Sequence, residues 1–151
     1  SLWAQPEQAR DLILDLLGQA DLVKVNETEL ALLTGNSDLA TGSQAILARG
    51  PALCVVTLGA QGSYFGLAGG GEMVPGFTVP TVDAVGCGDA FTAGLLRQLA
   101  ASERWTERLT PPTLRQMLRY ANAVGALTAQ KQGVIPALPT AGEVDRFLSQ
   151  Q

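Results

Sequence analysis

Asp83-Ala84-Val85-Gly86-Cys87-Gly88-Asp89-Ala90-Phe91 is the stretch that says most about the architecture of this chain. Two glycines flank one residue just ahead of Ala90, Phe91, Gly94, Leu95 and Leu99, which share one face of a helix predicted from about Asp89 to Ala101. Glycines let the backbone turn tightly, so that successive N–H groups and the helix N-terminus aim at one spot. Such a spot attracts anions. A carboxylate at Asp89 repels an anionic ligand there, and gains a purpose if it takes a proton from a hydroxyl attacking a phosphate. The plainer reading is a tight turn with Asp89 as helix N-cap, and spacing alone leaves both open. Two other glycine-rich nucleotide loops are excluded. Phe91 stands where the dinucleotide fingerprint G-x-G-x-x-G needs its third glycine, and no Gly-Lys-Ser/Thr of a Walker A loop occurs.

Upstream of this stretch, helical and strand patterns alternate. Ala9, Leu12, Ile13, Leu16 and Leu17 recur at helical spacing between Pro6 and Gly18. Leu22 to Val25 is a β-prone run ending at Asn26, followed by a short helix from Glu27 to Leu33 closed by Gly35. A helix over about Leu39 to Ala48 stops at Gly50-Pro51. The run Ala52-Leu53-Cys54-Val55-Val56-Thr57 is then continuously apolar, as expected of a central strand buried on both faces. Gly59, Gly62, Gly66 and Gly69-Gly70-Gly71 punctuate segments that read as antiparallel hairpins. Downstream, Pro111-Pro112 lead into a helical pattern from Thr113 to about Lys131, and Thr140 with Glu143 reads as the capping box of a last helix to Leu148. The order argues for an α/β fold with an antiparallel flank.

Composition narrows the function. At 151 residues the chain fits one domain with a real core, and its 46% hydrophobic residues form no run of the roughly 20 needed to span a membrane. Ten Lys and Arg against fourteen Asp and Glu give a charge of −4 with no basic block, so neither nucleic acid nor membrane is expected as a partner. The absence of histidine removes His-based triads and imidazole acid/base chemistry. Two cysteines, Cys54 and Cys87, are no disulfide framework and fit a reducing cytoplasm. Neither a signal peptide nor an initiator methionine opens the sequence, which is expected to be part of something longer.

Asp83, Gly86, Gly88 and Asp89 with the following Ala-Phe resemble the D-T-x-G-A-G-D signature of the ribokinase-like (PfkB) carbohydrate kinases. Ala84 replaces the threonine of that signature and Cys87 its central alanine. An anion hole built from backbone N–H groups tolerates both changes; any role of the threonine hydroxyl is lost. Further stretches resemble the family in its own order. These are Val23-Lys24-Val25-Asn26-Glu27-Thr28-Glu29 (its N-x-x-E element), Thr57-Leu58-Gly59-Ala60-Gln61-Gly62 (its T-L-G-x-x-G loop), Tyr120 to Thr128, and Gly133 with Pro136. Leu2-Trp3 and the proline-led helix after it resemble the fructokinase branch.

The resemblance implies the C-terminal half of a ribokinase-like three-layer αβα sandwich, with the sugar-binding half and lid absent and residues 1–151 as one nucleotide-binding and catalytic part. It implies ATP and Mg2+ as cofactors and a sugar hydroxyl as acceptor, in a full-length protein that can form a homodimer. Asp89 would be the base facing the sugar, and Gly86, Cys87 and Gly88 the anion hole. Thr57, Gly59, Gly62, Asn122 and Ala126 would border the nucleotide. Asn26 would lie near the phosphates, and with Glu29 would hold magnesium through water. Bland readings stand beside these: Asn26 as a cap, Glu29 as a solvated helix position, Gly59 and Gly62 as hairpin makers, and Asn122 as a buried hydrogen-bonding amide. Cys87 is either a thiol activated by the helix N-terminus or a small residue that fits. Two rival functions are a nucleotide-binding module without turnover, against which the intact Asp89 argues, and a nucleoside or hydroxymethylpyrimidine kinase.

Overall fold

The computed structural model describes residues 6–151, so Leu2-Trp3 lie outside the described residues. These fall into two compact units: one takes the residues up to Leu58 with Tyr64–Glu72, the other Gly59–Ser63 with Met73–Gln151. A four-stranded mixed sheet has the order β1 (Leu22–Asn26), β2 (Leu53–Thr57), β3 (Gly62–Leu67) and β4 (Gly70–Pro75). It is open, and the fold is the α/β arrangement expected.

In the first unit, α1 (Pro6–Leu16) runs through a 3-10 turn into β1, and α2 (Glu27–Thr34) and α3 (Leu39–Leu47) lead on to β2. β1 and β2 pair in parallel from Leu22↔Leu53 to Asn26↔Thr57, the arrangement a crossover through helices permits. Leu53, Cys54, Val55 and Val56 are all fully buried, as the unbroken apolar run requires. Side chains of Cys54 and Val56 join Leu30, Leu33 and Ile46 in one core. Complete burial pushes the Cys54 thiol up to about 11.

β2 lies between β1 and β3, the central position its apolar run implies. The chain doubles back after β2 through a 3-10 turn and a single β3–β4 hairpin closed at Ala68–Gly69, which supplies its second neighbour. Among the described residues, the apolar strand left with one partner is β1.

In the second unit, α4 (Cys87–Leu99) packs on α5 (Pro111–Ala129), with α6 (Ala141–Ser149) beside it. Phe77, Ala90, Tyr120, Ala123, Val124 and Val144 form the core, and Phe77 meets Phe147 edge-on at 5.0 Å. The Thr140–Glu143 capping box forms as read from the sequence. Amide and hydroxyl donors of Thr140, with Lys131 nearby, hold the Glu143 carboxyl down at about 2. α5 begins two residues earlier than its apolar pattern because proline is tolerated in a first helical turn.

Candidate active site

Gly86 decides the geometry of the second unit's loop. It is the N-cap of α4 in the left-handed region, at φ 80°, where glycine alone is unstrained. That turn brings Cys87, Gly88 and Asp89 into the helix as its first three residues, so α4 starts at Cys87 rather than at about Asp89. Asp89 is therefore not the N-cap: it stands third in the helix, exposed to solvent. No side chain caps α4, and its first backbone bond runs from the Ala90 amide to the Gly86 carbonyl at 2.9 Å. The positive end of a helix dipole and first-turn N–H groups without a side-chain cap thus sit beside a carboxylate, the Cys87 amide donating to the Ala84 carbonyl at 3.4 Å.

Asp83 holds this loop in place. Its Oδ1 accepts from the Val85 amide at 3.0 Å, its Oδ2 from the Gly133 amide at 3.2 Å, and its own N–H donates to the Ala129 carbonyl at 3.2 Å. The Val85 bond first, and then the Gly133 bond, keep the Asp83 carboxyl below its usual range. One side chain therefore joins the glycine loop to the Gly133 segment and the end of α5. In the sequence Asp83 stands out only as a signature residue, and an Asp two residues before a backbone turn is the one signal for this bond.

The surroundings of Cys87 hold its thiol above the usual range. Burial, and next the charge of Asp83, raise its pKa against the lowering from its own backbone bond, while Sγ points at the Asp83 carbonyl 3.7 Å away. Desolvation and a neighbouring carboxylate outweigh the helix N-terminus, contrary to the activated reading.

Gly59 and Gly62 lie on the turn between β2 and β3, both at positive φ. A Cβ at Gly62 would stand 2.2 Å from the Val74 carbonyl oxygen and 2.3 Å from the Gly76 nitrogen, so backbone passes directly over it. Asn122, buried on α5, donates through Nδ2 to the carbonyls of Val74 and Pro75, each at 3.2 Å. Its amide thus anchors the segment that lies over Gly62, and Ala126 follows one turn along α5, half-buried. Within this unit the structure brings Gly62 and Asn122 to the Val74-Pro75 segment, and Asp83 and Gly86 to the Gly133-Val134 segment.

In the first unit, Asn26 and Glu29 form a reciprocal capping box at the start of α2. Asn26 Oδ1 accepts from the Glu29 amide, and Glu29 Oε2 from the Asn26 amide, both at 2.8 Å. Thr57 is the register partner of Asn26 and donates its hydroxyl to the Val25 carbonyl at 3.3 Å. Asn26 and Thr57 close the two parallel strands, with Glu29 in the first turn of the helix that follows β1, at the end of the sheet where open α/β folds bind ligands. Among the described residues, no three Cys, Asp or Glu side chains cluster to hold a metal directly.

Around Gly86, then, an α/β chain carries a glycine-led helix start without a side-chain cap and a carboxylate on its first turn. The chain belongs to the pfkB family of carbohydrate kinases, whose pattern matches residues 1–141. It is 39% identical over 151 residues to a protein of Arabidopsis thaliana named probable fructokinase-2, covering 99% of this chain and 45% of that one. A crystal structure of fructokinase from Vibrio cholerae O395, with fructose, ADP and calcium ion bound, superposes with TM-score 0.86 at 35% identity, over 97% of this chain and 46% of that one. Aminoimidazole riboside kinase from Salmonella enterica, with aminoimidazole riboside and an ATP analogue, gives 0.85 at 31% identity, over 97% and 48%. The chain spans about half the length of the relatives it matches.

Proposed function

We propose that this chain is the nucleotide-binding and catalytic part of an ATP-dependent sugar kinase of fructokinase type, working in the cytoplasm. The observation that carries the reading is the turn at Gly86, which enters α4 without a side-chain cap and sets Asp89 on its first helical turn.

In this reading the amides of Gly86, Cys87 and Gly88 receive the negative charge that develops on the transferred phosphoryl group. Asp89 accepts the proton of the attacking sugar hydroxyl as the new O–P bond forms, and ADP leaves with the electrons of the broken bond. The glycine turn at Gly59 and Gly62 and the α5 segment through Ala126 border the nucleotide, with Asn122 supporting that border through Val74 and Pro75 rather than by its free amide. Thr57 and Asn26 serve the nucleotide phosphates. Magnesium supplies charge neutralisation on those phosphates. The residues present suit an indirect hold: the capping box engages Glu29 Oε2, and Glu29 is exposed, so its carboxylate would hold a hydrated ion through water.

The acceptor is a sugar or a molecule carrying one. Likeness to the aminoimidazole riboside kinase supports a riboside as the second candidate beside fructose. In-line transfer needs the acceptor held within about 3–3.5 Å of phosphorus, and that positioning supplies much of the rate. The groups that position it belong to the half of the kinase fold outside this chain. The test assays residues 1–151 and the full-length kinase side by side with magnesium, ATP and a panel including fructose, ribose and a riboside. Sugar-dependent ADP release is expected from the full-length kinase alone. Release from the 151 residues at a comparable rate would place the acceptor site within them and refute the division.

A further inference from the structure

Segment 74–83 of the second unit joins the Gly59–Gly62 turn to the Gly86 loop and is fastened along α5. Near its start it crosses the turn at backbone contact: the Gly76 amide donates to the Gln61 carbonyl at 3.0 Å, and a Cβ at Gly76 would stand 2.5 Å from the Ala60 carbonyl oxygen. At its end the Val82 and Asp83 amides both donate to the Ala129 carbonyl, at 2.8 and 3.2 Å. Between these points Phe77 and Val79 pack into the core that α5 shares. Asn122 and Ala129 stand about two turns, or roughly 10 Å, apart on the helix. Fully extended, the stretch from Pro75 to Val82 could reach roughly 20–25 Å. It therefore has slack, and its attachments rather than its length decide where the turn stands.

We infer that Asn122 is a positioning residue that sets the span between the Gly59–Gly62 turn, which takes the adenosine end of ATP, and the Gly86 loop, which takes the phosphates. The inference rests on the kinase reading and adds which end of the nucleotide this residue governs. Asn122 is 7% exposed, and its Nδ2 donates to the Val74 and Pro75 carbonyls, the attachment at the start of the segment. Less than one turn further along α5, a Cβ at Gly125 would meet the Cys87 carbonyl at 3.5 Å, so the Gly86 loop rests on the same helix directly. One rigid helix thus carries both ends of the site, the loop by contact and the turn through the Asn122 amide. Removing that amide leaves two carbonyls short of a donor and frees the start of the segment. The loop keeps its own hold through Asp83 and Gly133. The adenosine end should lose affinity while the phosphate end keeps it.

The test uses the full-length kinase carrying Asn122→Leu, an apolar side chain of similar size, or Asn122→Ser, a milder change that also removes the amide. Two inhibitors that compete with ATP probe the ends separately: adenosine for the base end and inorganic tripolyphosphate for the phosphate end. Both variants should raise the KM for ATP and the inhibition constant of adenosine about tenfold. Inhibition by tripolyphosphate, the KM for sugar and kcat should stay within about twofold of the parent. A folded variant with the parent's response to adenosine would overturn the inference. So would equal weakening of both inhibitors, the mark of general loosening, or failure of both variants to fold, which would make Asn122 a residue of the fold alone. A parent kinase that neither binds nor turns over ATP would refute the proposed activity and the inference with it.

Discussion

Replacing Gly86 with alanine puts a methyl group where the structure has no room for one. The added Cβ would lie 2.5 Å from Val134 Cγ1 and 3.2 Å from the other two carbons of that side chain beyond Cα, at a backbone φ of 80°. Forcing an L-residue into the left-handed region costs about 1–2 kcal/mol. Overpacking against a branched side chain costs about 1–3 kcal/mol more, and Val134, 36% exposed, can yield toward solvent and keep this near the lower end. Gly86→Ala should therefore lower unfolding free energy by about 2–3 kcal/mol in urea denaturation. Adding Val134→Ala should recover the steric share and leave about 1–2 kcal/mol from the backbone. A single variant within about 0.5 kcal/mol of the parent would refute the assigned turn geometry.

Asp83→Asn should loosen the loop at neutral pH, and its deficit in thermal stability should close on acidification. A carboxylate whose folded pKa lies below the ordinary 3.8 stabilises the fold fully above that value and loses the contribution as pH falls through the folded pKa. The gap between parent and variant should thus begin to close only below about pH 4 and vanish once pH has passed below the folded pKa, read by melting temperature against pH; a gap independent of pH would mean the carboxylate charge is not what holds Gly133. Cys87 should react with a thiol reagent before Cys54, which is fully buried and held up at about 11. It should do so sluggishly at neutral pH and more slowly still when the full-length kinase is saturated with ATP; labelling indifferent to nucleotide would separate the loop from phosphate.

Local chemistry was the legible part of this fold. Asn26 with Glu29 and Thr140 with Glu143 mark helix starts because capping is settled within four residues. The burial of β2 was equally readable, since no polar residue interrupts Leu53 to Val56. Its neighbours were not, because strand pairing is long-range and the returning hairpin carries no label of where it docks. Trp105–Arg108 forms a 3-10 turn with no periodicity to announce it. At the site, residue identities were legible and their bonding was not. Asn122 lies 47 and 48 residues from the carbonyls it anchors, and Asp83 lies 50 from Gly133. For Cys87, sequence shows the helix start that lowers a thiol's pKa but hides the burial and the Asp83 charge that raise it.

The central claim is that Asp89 takes the acceptor's proton beside the Gly86 turn, and the kcat of Asp89→Asn in the full-length kinase tests it most directly. An asparagine keeps the size and the helix start but cannot act as base, and it relieves repulsion between Asp89 and phosphate. Turnover should fall by roughly 10²–10⁴-fold while ATP affinity stays equal or tightens. Turnover within a few-fold of the parent would contradict the account and remove Asp89 from the chemistry.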